Sequence, residues 1–174
     1  MYRSARAKPT RFCVGVDSNA DNLAEISRRA GRKPARGGAS NALFVHATAE
    51  ALPPELAGLA TRVTILLPWG SLLRAVAQPD PVVLAGVRGL CRPGARLEVV
   101  MAYAERDPTT AGALAPLERE RLLREVLPRY RAAGFVATVG PLTAAEVRQL
   151  GTTWAARLAF GRERPFWRLR ARAI

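Results

Sequence analysis

The apolar residues of this chain gather in short runs that alternate with stretches of helical periodicity. Four short apolar runs, each predicted to form a strand, lie at residues 11–16, 42–46, 63–67 and 96–102. Between them, apolar residues recur at helical spacing in residues 19–32, 71–77 and 81–90. This alternation predicts an α/β fold with a mostly parallel sheet and helices on both of its faces.

A long amphipathic stretch opens the second half of the pattern. Residues 116–133 predict a helix that carries Leu123, Leu127 and Tyr130 on its inner side and ends at the cap Gly134. The segment before it, residues 103–115, is predicted to be an inserted loop.

The chain is predicted to end in two strands separated by a short helix and a second inserted loop. These elements are expected at residues 135–139, 144–150, 151–165 and 166–173, in the order strand, helix, loop and strand. In the last strand, Trp167, Leu169 and Ala171 alternate with Arg168, Arg170 and Arg172. Because successive side chains of a strand point to opposite faces, one face should be apolar and the other cationic.

The composition limits the classes of protein to which this chain can belong. A chain of 174 residues, 49% hydrophobic and 24% charged, predicts one domain over residues 1–174 rather than a disordered protein. No apolar run approaches the roughly 20 residues of a bilayer span, so no membrane association is expected. Two cysteines, Cys13 and Cys91, are expected to be buried thiols, and the absence of a secretory start favours the reducing cytoplasm. The protein is expected to be a monomer.

The charge is strongly basic and lies mostly at the two ends. Twenty-seven basic against fourteen acidic residues give +13. Residues 1–40 hold nine basic and three acidic side chains, and residues 151–174 hold six and one. Nearly all the basic residues are arginines, which bind phosphate through two parallel hydrogen bonds. A polyanion, with nucleic acid as the leading candidate, is therefore the expected partner.

Three candidate binding residues lie at or just after the ends of the first two strands, at what should be the carboxyl edge of the sheet. Asp17 ends the first strand, where a carboxylate can bind both hydroxyls of a ribose, although it could equally just start the turn into the next helix. Ala49 and Glu50 follow the second strand, where a backbone amide and a carboxylate could meet an adenine. The single histidine, His46, has no metal-binding partner at a suitable spacing, so we expect a structural histidine and no metal site.

Two tryptophans lie in segments that are predicted to be turns or loops. Trp69 follows the third strand, and Trp154 lies in a basic loop with Arg157, Arg162 and Arg164. Each could simply pack at the rim of the core. Two indoles over one crevice could instead hold a flipped base between them, as enzymes that modify a base inside a stack require.

At this point the sequence resembles a known family along nearly its whole length. The motifs VGVDSNADNLAEISRRAGRKPARGG, LLPWGSLLR and WAARLAFGRERPF look like those of the aminoglycoside-resistance methyltransferases that modify N1 of adenine 1408 in 16S ribosomal RNA. The resemblance implies a class I methyltransferase fold with the strand order 3-2-1-4-5-7-6. It also implies S-adenosylmethionine (SAM) as the cofactor and the 30S ribosomal subunit as the partner.

The resemblance also assigns roles to individual residues. It makes Asp17 the ribose carboxylate, places Ala49 and Glu50 beside the cofactor adenine, and makes Trp69 and Trp154 the pair that stacks the target base. It implies that Ser71 and Thr152 line the cofactor and target pocket. The residues it implies for RNA contact are Arg28, Arg29, Arg32, Lys33 and Arg36 near the first end, and Arg157, Arg162 and Arg164 near the other.

The sequence departs from the family pattern at its start. The family's acidic, glycine-rich SAM motif of the DxGTGDG kind is absent, and residues 1–8 resemble only the tail of the helix that follows it. We therefore expect a sheet that lacks the family's first strand. Either the true start lies upstream of Met1, or the chain is a real truncation. In the second case the alternative function is a catalytically inactive protein that binds rRNA and the 30S subunit.

Overall fold

A computed structural model of the chain describes residues 1–102, 114–159 and 164–174. These residues form two compact units, Met1–Pro53 and Pro54–Ile174. The single domain over residues 1–174 therefore stays a prediction. Of the two predicted loops, residues 103–113 lie outside the described residues, whereas most of residues 151–165 lie within them.

The first unit contains a two-stranded parallel sheet. Its strands are β1 (Cys13–Asp17) and β2 (Ala42–His46), paired so that Asp17 lies opposite His46. The helices are α1 (Tyr2–Ala7) and α2 (Ala20–Ala30), and a 3₁₀ turn (Pro34–Arg36) follows α2. The side chain of Asn19 caps α2 by accepting from the backbone N–H of Asp21, 2.9 Å away.

The core of the first unit lies on one face of this sheet. Tyr2, Ala5, Ala30 and Ala39 are buried there, and Phe44 packs against them. The continuous apolar runs at residues 11–16 and 42–46 predict strands that are buried on both faces. This prediction is wrong for one face, because the core covers only the other and leaves Val16 and Leu43 38% and 45% exposed.

The second unit contains a four-stranded sheet in the order β3-β4-β6-β5. Its strands are β3 (Ala60–Leu66), β4 (Cys91–Ala102), β5 (Phe135–Leu142) and β6 (Phe166–Ala173). Strands β3 and β4 are parallel, whereas β6 runs antiparallel to both β4 and β5. The sheet is thus mixed rather than mostly parallel. The two orders, β1-β2 and β3-β4-β6-β5, match the 3-2 and 4-5-7-6 parts of the implied order, and no described strand pairs with the open edges of β1 and β3.

The helices of the second unit largely follow the predicted pattern. A 3₁₀ turn (Pro54–Leu56) comes first, followed by α3 (Gly70–Ala77), α4 (Pro81–Leu90), α5 (Arg119–Arg121), a π-helical turn (Leu122–Val126), α6 (Leu127–Ala132), α7 (Ala144–Arg148) and α8 (Thr153–Ala159). The helix α8 lies in the segment that the sequence indicated to be a loop. None of the helices in the three described ranges is long and apolar enough to cross a bilayer.

The π-helical turn changes which residues of the long helical segment face the core. Leu122, Val126 and Tyr130 are buried, whereas Leu123, predicted to lie inside, is 42% exposed. Pro128 follows this turn and has no backbone N–H, so the ordinary i→i−4 ladder is interrupted there. The inner side predicted from a regular helical period is therefore wrong at Leu123.

Helices cover both faces of the four-stranded sheet, but to different extents. One face is apolar, with Leu97, Val99 and Leu169 buried, and α6 lies on it because Tyr130 contacts Phe135 at a ring separation of 6.4 Å. On the other face, α7 and α8 cover only the carboxyl end of β4, where Val100 and Ala102 belong to a second apolar cluster. The rest of that face is mostly polar and carries the arginines predicted for one face of the last strand, Arg168, Arg170 and Arg172.

Candidate active site

A strained turn holds Trp69 at the carboxyl end of β3. Leu67 has φ = 52°, a left-handed conformation that is rare for a residue other than glycine, and Gly70 follows with φ = 58°. The backbone N–H of Leu67 donates to the carbonyl of Val100, 2.8 Å away, and the Leu67 side chain is only 4% exposed. Strain of this kind persists only where the surroundings impose it, and it concentrates at functional sites.

Trp154 is held by helix α8. Ala155 is fully buried in the same apolar cluster as Leu67, and Leu158 packs against that cluster. Trp154 lies on the outer side and is 39% exposed. One apolar cluster therefore fixes both the turn before Trp69 and the helix that carries Trp154. The sequence carried a signal for this helix in the spacing of Ala155 and Leu158, which is helical.

The two indoles contact each other edge to face. Their ring centroids lie 6.0 Å apart and their planes make an angle of 84°. The structure therefore brings together the two tryptophans that the sequence singled out. It does not leave a slot between parallel rings, because a base between two indoles would need rings about 7 Å apart, two stacking distances of about 3.5 Å each.

The two hydroxyl residues implied for the pocket flank this pair. Ser71 is exposed in the first turn of α3, two residues after Trp69. The hydroxyl oxygen of Thr152 accepts from the backbone N–H of Ala155, 2.9 Å away, and so caps α8. A hydroxyl that accepts still has its proton to donate, so this capping leaves Thr152 able to bond a ligand.

Asp17 starts the turn into α2, which is the structural role that the sequence left open for it. One carboxylate oxygen accepts from the backbone N–H of Asn19 at 2.9 Å, and the other from the side-chain amide of Asn22 at 3.3 Å. The carboxylate therefore starts the turn into α2. Since two carboxylate oxygens offer about four acceptor positions, these two bonds leave room for ribose hydroxyls.

Ala49 and Glu50 lie in the turn after β2, at the same edge as Asp17. Because β1 and β2 are parallel and Asp17 is opposite His46, the loops that follow the two strands leave from one end of this sheet. Glu50 is exposed and Ala49 is half-buried. His46 is exposed rather than buried, and its Nε2 lies 3.0 Å from the carbonyl of Ser18, so it holds the β1–α2 turn.

The basic residues near the first end form an exposed group at the end of α2. Its members, all exposed, are Arg28, Arg29, Arg32, Lys33 and Arg36. Here the chain turns tightly, since a Cβ at Gly38 would lie 1.6 Å from the carbonyl oxygen of Arg32. Arg29 also lies over the ring of Tyr2, 5.1 Å from its centroid, so this guanidinium packs on α1 as well as facing solvent.

The basic residues near the other end are placed less uniformly. Arg157 is exposed and lies one turn after Trp154 on α8, so the two side chains share a face of that helix. Arg164 is half-buried, and Arg162 lies outside the described residues.

The remaining chemical groups show no further centre in the described parts of the chain. Across residues 1–102, 114–159 and 164–174, no three His, Cys, Asp or Glu side chains gather as metal ligands. Cys91 is buried as predicted, and burial raises the pKa of its thiol while nearby Arg88 opposes that rise. Cys13 is only half-buried.

Comparison with known proteins identifies the family of this chain. The family model described as 16S rRNA (adenine(1408)-N(1))-methyltransferase matches residues 1–173. The chain belongs to this family. A 16S rRNA (adenine(1408)-N(1))-methyltransferase of Escherichia coli is 37% identical over 177 residues, which cover 97% of this chain and 80% of that protein.

Solved structures agree with the family assignment. The aminoglycoside resistance methyltransferase NpmB1 is 40% identical with a TM-score of 0.80, and the match covers 99% of this chain and 81% of that one. A tryptophan-to-alanine variant of the corresponding methyltransferase of Catenulisporales acidiphilia, solved with the cosubstrate SAM, is 34% identical with a TM-score of 0.86, covering 99% and 80%. The predicted class I methyltransferase fold is confirmed, and the chain is a member of a family of enzymes.

Proposed function

We propose that this chain methylates N1 of adenine 1408 in the 16S rRNA of the assembled 30S subunit and thereby confers resistance to aminoglycosides. The observation that carries the proposal is the contact between Trp69 and Trp154, two indoles 6.0 Å apart at the carboxyl end of the sheet. Family membership supports the reaction, since the relative from Escherichia coli is named for it. The name of the NpmB1 structure supports the link to resistance.

The residues of the first unit fit the nucleoside part of SAM. Asp17 offers a half-buried carboxylate whose two bonds leave acceptor positions for ribose hydroxyls. Ala49 and Glu50 lie at the same edge, where a backbone amide and a carboxylate can meet an adenine. We assign these three residues to the cofactor, in the crevice where α/β sheets bind nucleotides.

The chemistry needs positioning more than proton transfer. When bound, SAM supplies an electrophilic methyl group on a sulfonium. The lone pair of adenine N1 forms the new C–N bond as the C–S bond breaks, and the positive charge passes to the adenine. The N1 lone pair carries no proton, so no general base is required. The task of the protein is to hold N1 in line with the methyl group.

The indoles of Trp69 and Trp154 can hold the base and stabilise its new charge. Stacking contributes about 1–3 kcal/mol per base, and a flipped base loses a few kcal/mol of stacking and pairing. An indole face also attracts a cation, so two faces around a methylated adenine favour the charged product. Ser71 and Thr152, beside the pair, are assigned to the lining of the cofactor and target pocket.

The base must separate the two rings before it can stack between them. An edge-to-face pair contributes about 0.5–1.5 kcal/mol, and two stacked faces exceed this. Trp154 is the ring expected to turn, because it is 39% exposed whereas Trp69 follows a turn held by Leu67 in the core. Arg157, on the same face of α8, is assigned to a phosphate beside the flipped base.

The proposal is tested by incubating this chain with SAM and purified 30S subunits and mapping the product by primer extension. A new stop at adenine 1408 is the expected result. A chain that binds 30S subunits without binding SAM in calorimetry would instead support the alternative of a catalytically inactive 30S-binding protein. A stop at another nucleotide would refute the target.

A further inference from the structure

The open part of the cationic sheet face carries a row of arginines across three strands. In the register of the sheet, Arg62 of β3 pairs with Arg96 of β4, and Arg96 pairs with Arg172 of β6. All three side chains are exposed. Because neighbouring strands lie about 4.8 Å apart, the row spans roughly 10 Å. Like charges directly opposite each other destabilise a sheet, so this arrangement calls for an explanation other than stability.

The rest of this face adds positive charge, and the strands themselves carry a single carboxylate, although Glu146 of α7 also acts electrostatically on Arg168 and Arg170. Arg168 and Arg170 lie on it, and Glu98 is the one acidic residue among the described positions of its strands. Glu98 pairs with Arg62 at 2.6 Å and lies within ion-pair distance of Arg168 at 3.2 Å, although the Arg168 Nε–H does not point at it as a hydrogen bond. Within the described residues, no carboxylate lies within ion-pair distance of Arg96 or Arg172.

The uncharged positions on the face indicate what it can bind. Thr64 and Thr138 are exposed beside the arginines, and their hydroxyls can donate to phosphate oxygens. Val136, next to Arg172, is 57% exposed. Among the described residues, no aromatic side chain lies on the open part of the face, so these residues offer no ring on which a base could stack. Arginine forks with flanking hydroxyls suit a phosphate backbone.

We infer that the row Arg62–Arg96–Arg172 is a second RNA-docking surface, which binds the phosphate backbone of 16S rRNA independently of the tryptophan pair. The inference rests on the proposed rRNA substrate. In this inference the sheet arginines bind the RNA backbone, whereas Arg157 on α8 binds a phosphate beside the flipped base. Phosphates bound along the row would neutralise the repulsion between the paired arginines.

The test measures binding to purified 30S subunits as a function of salt concentration. The variant is Arg96→Ala with Arg172→Ala. The matched control is Arg129→Ala with Arg131→Ala, which removes two exposed arginines from α6 on the opposite side of the same sheet. Each lost phosphate contact lowers the slope of log K against log salt concentration by about 0.7–0.9. We expect a slope smaller by about 1–2 and clearly weaker binding for the first variant, and wild-type behaviour for the control.

The outcomes separate this inference from the proposed function. Equal slopes and affinities for variant and control would overturn the docking surface, as would a failure of the wild-type chain to bind 30S subunits. Binding with the expected slope change but without methyl transfer would support the surface and count against the proposed function. An effect on 30S subunits that disappears with protein-free 16S rRNA would show contact with a ribosomal protein and overturn the inference. Thermal unfolding checks folding, and the first variant should unfold at no lower temperature than wild type.

Discussion

Replacing Trp154 by alanine tests the base-stacking role most directly. Trp154 is 39% exposed, and its ring contacts Trp69 edge to face at 6.0 Å. The variant removes one of the two faces that would hold the target base. At about 1–3 kcal/mol per stacked base, kcat/KM for methyl transfer should fall by about 5- to 150-fold. Trp154→Phe keeps a smaller aromatic face and should recover part of the loss.

The assay must separate base stacking from docking and from folding. Methyl transfer from labelled SAM to 30S subunits gives kcat/KM, and equilibrium binding to 30S subunits is measured on the same variants. Loss of the ring contact alone should lower the free energy of unfolding by about 0.5–1.5 kcal/mol. Phe12→Ala is a suitable control, because Phe12 is a 67% exposed aromatic residue of the first unit with no assigned role.

Two results would refute the stacking argument. A Trp154→Ala protein that transfers methyl groups at the wild-type rate would show that the second indole does not hold the base. A loss confined to 30S affinity, with the single-turnover rate of the bound complex unchanged, would make Trp154 a docking residue. Retained binding with a slow bound complex is the expected outcome.

Three further predictions concern the cofactor, the core and pH. Asp17→Asn keeps an acceptor for the Asn19 N–H but loses the charge, so SAM affinity in calorimetry should fall about 10-fold or more while Asp21→Asn leaves it unchanged. Tyr130→Phe removes a buried hydroxyl that donates to the carbonyl of Val76 at 3.2 Å, so chemical denaturation should show a loss of about 0.5–1.5 kcal/mol at unchanged activity. Hydrogen bonds from the backbone N–H and the hydroxyl of Thr143 lower the pKa of Glu146. The stabilisation of the fold by these bonds is therefore fully present above the unfolded carboxyl pKa of about 4.3, and it is lost as the pH falls through the lower folded pKa. The difference in unfolding free energy between wild type and Glu146→Gln should therefore shrink on acidification, and a constant difference would contradict this.

Most element positions could be predicted because hydrophobic period is a local property of the sequence. The strand expected at residues 42–46 is found at Ala42–His46, and the helix expected at residues 81–90 is found at Pro81–Leu90. The direction of β6 could not be predicted in this way. Its pairing between β4 and β5 depends on contacts between distant segments, and strand–helix alternation alone favours a parallel neighbour.

The sequence could predict which residues to assign to the candidate site, but not how their side chains are arranged in space. Sequence reasoning singled out Trp69 and Trp154, and the structure places them in contact. It did not predict the edge-to-face orientation, because ring angles depend on the packing of Leu67 and Ala155 in one cluster. It also did not predict α8, because Gly151 and the polar residues after it have the composition of a loop.

The sheet register shows that the basic residues near the end of the chain belong to two different surfaces. Residues 151–174 contain six basic residues, which form one cationic end by charge count, although the alternation in residues 166–173 already assigns three of them to one face of a strand. The structure separates them: Arg157 shares a helix face with Trp154, whereas Arg172 lies opposite Arg96 on the open sheet face. The two groups should therefore respond differently to mutation. Loss of Arg157 should act on the flipped base and on catalysis, and loss of the sheet arginines should act on salt-dependent docking. A single cationic end would predict the same response for both.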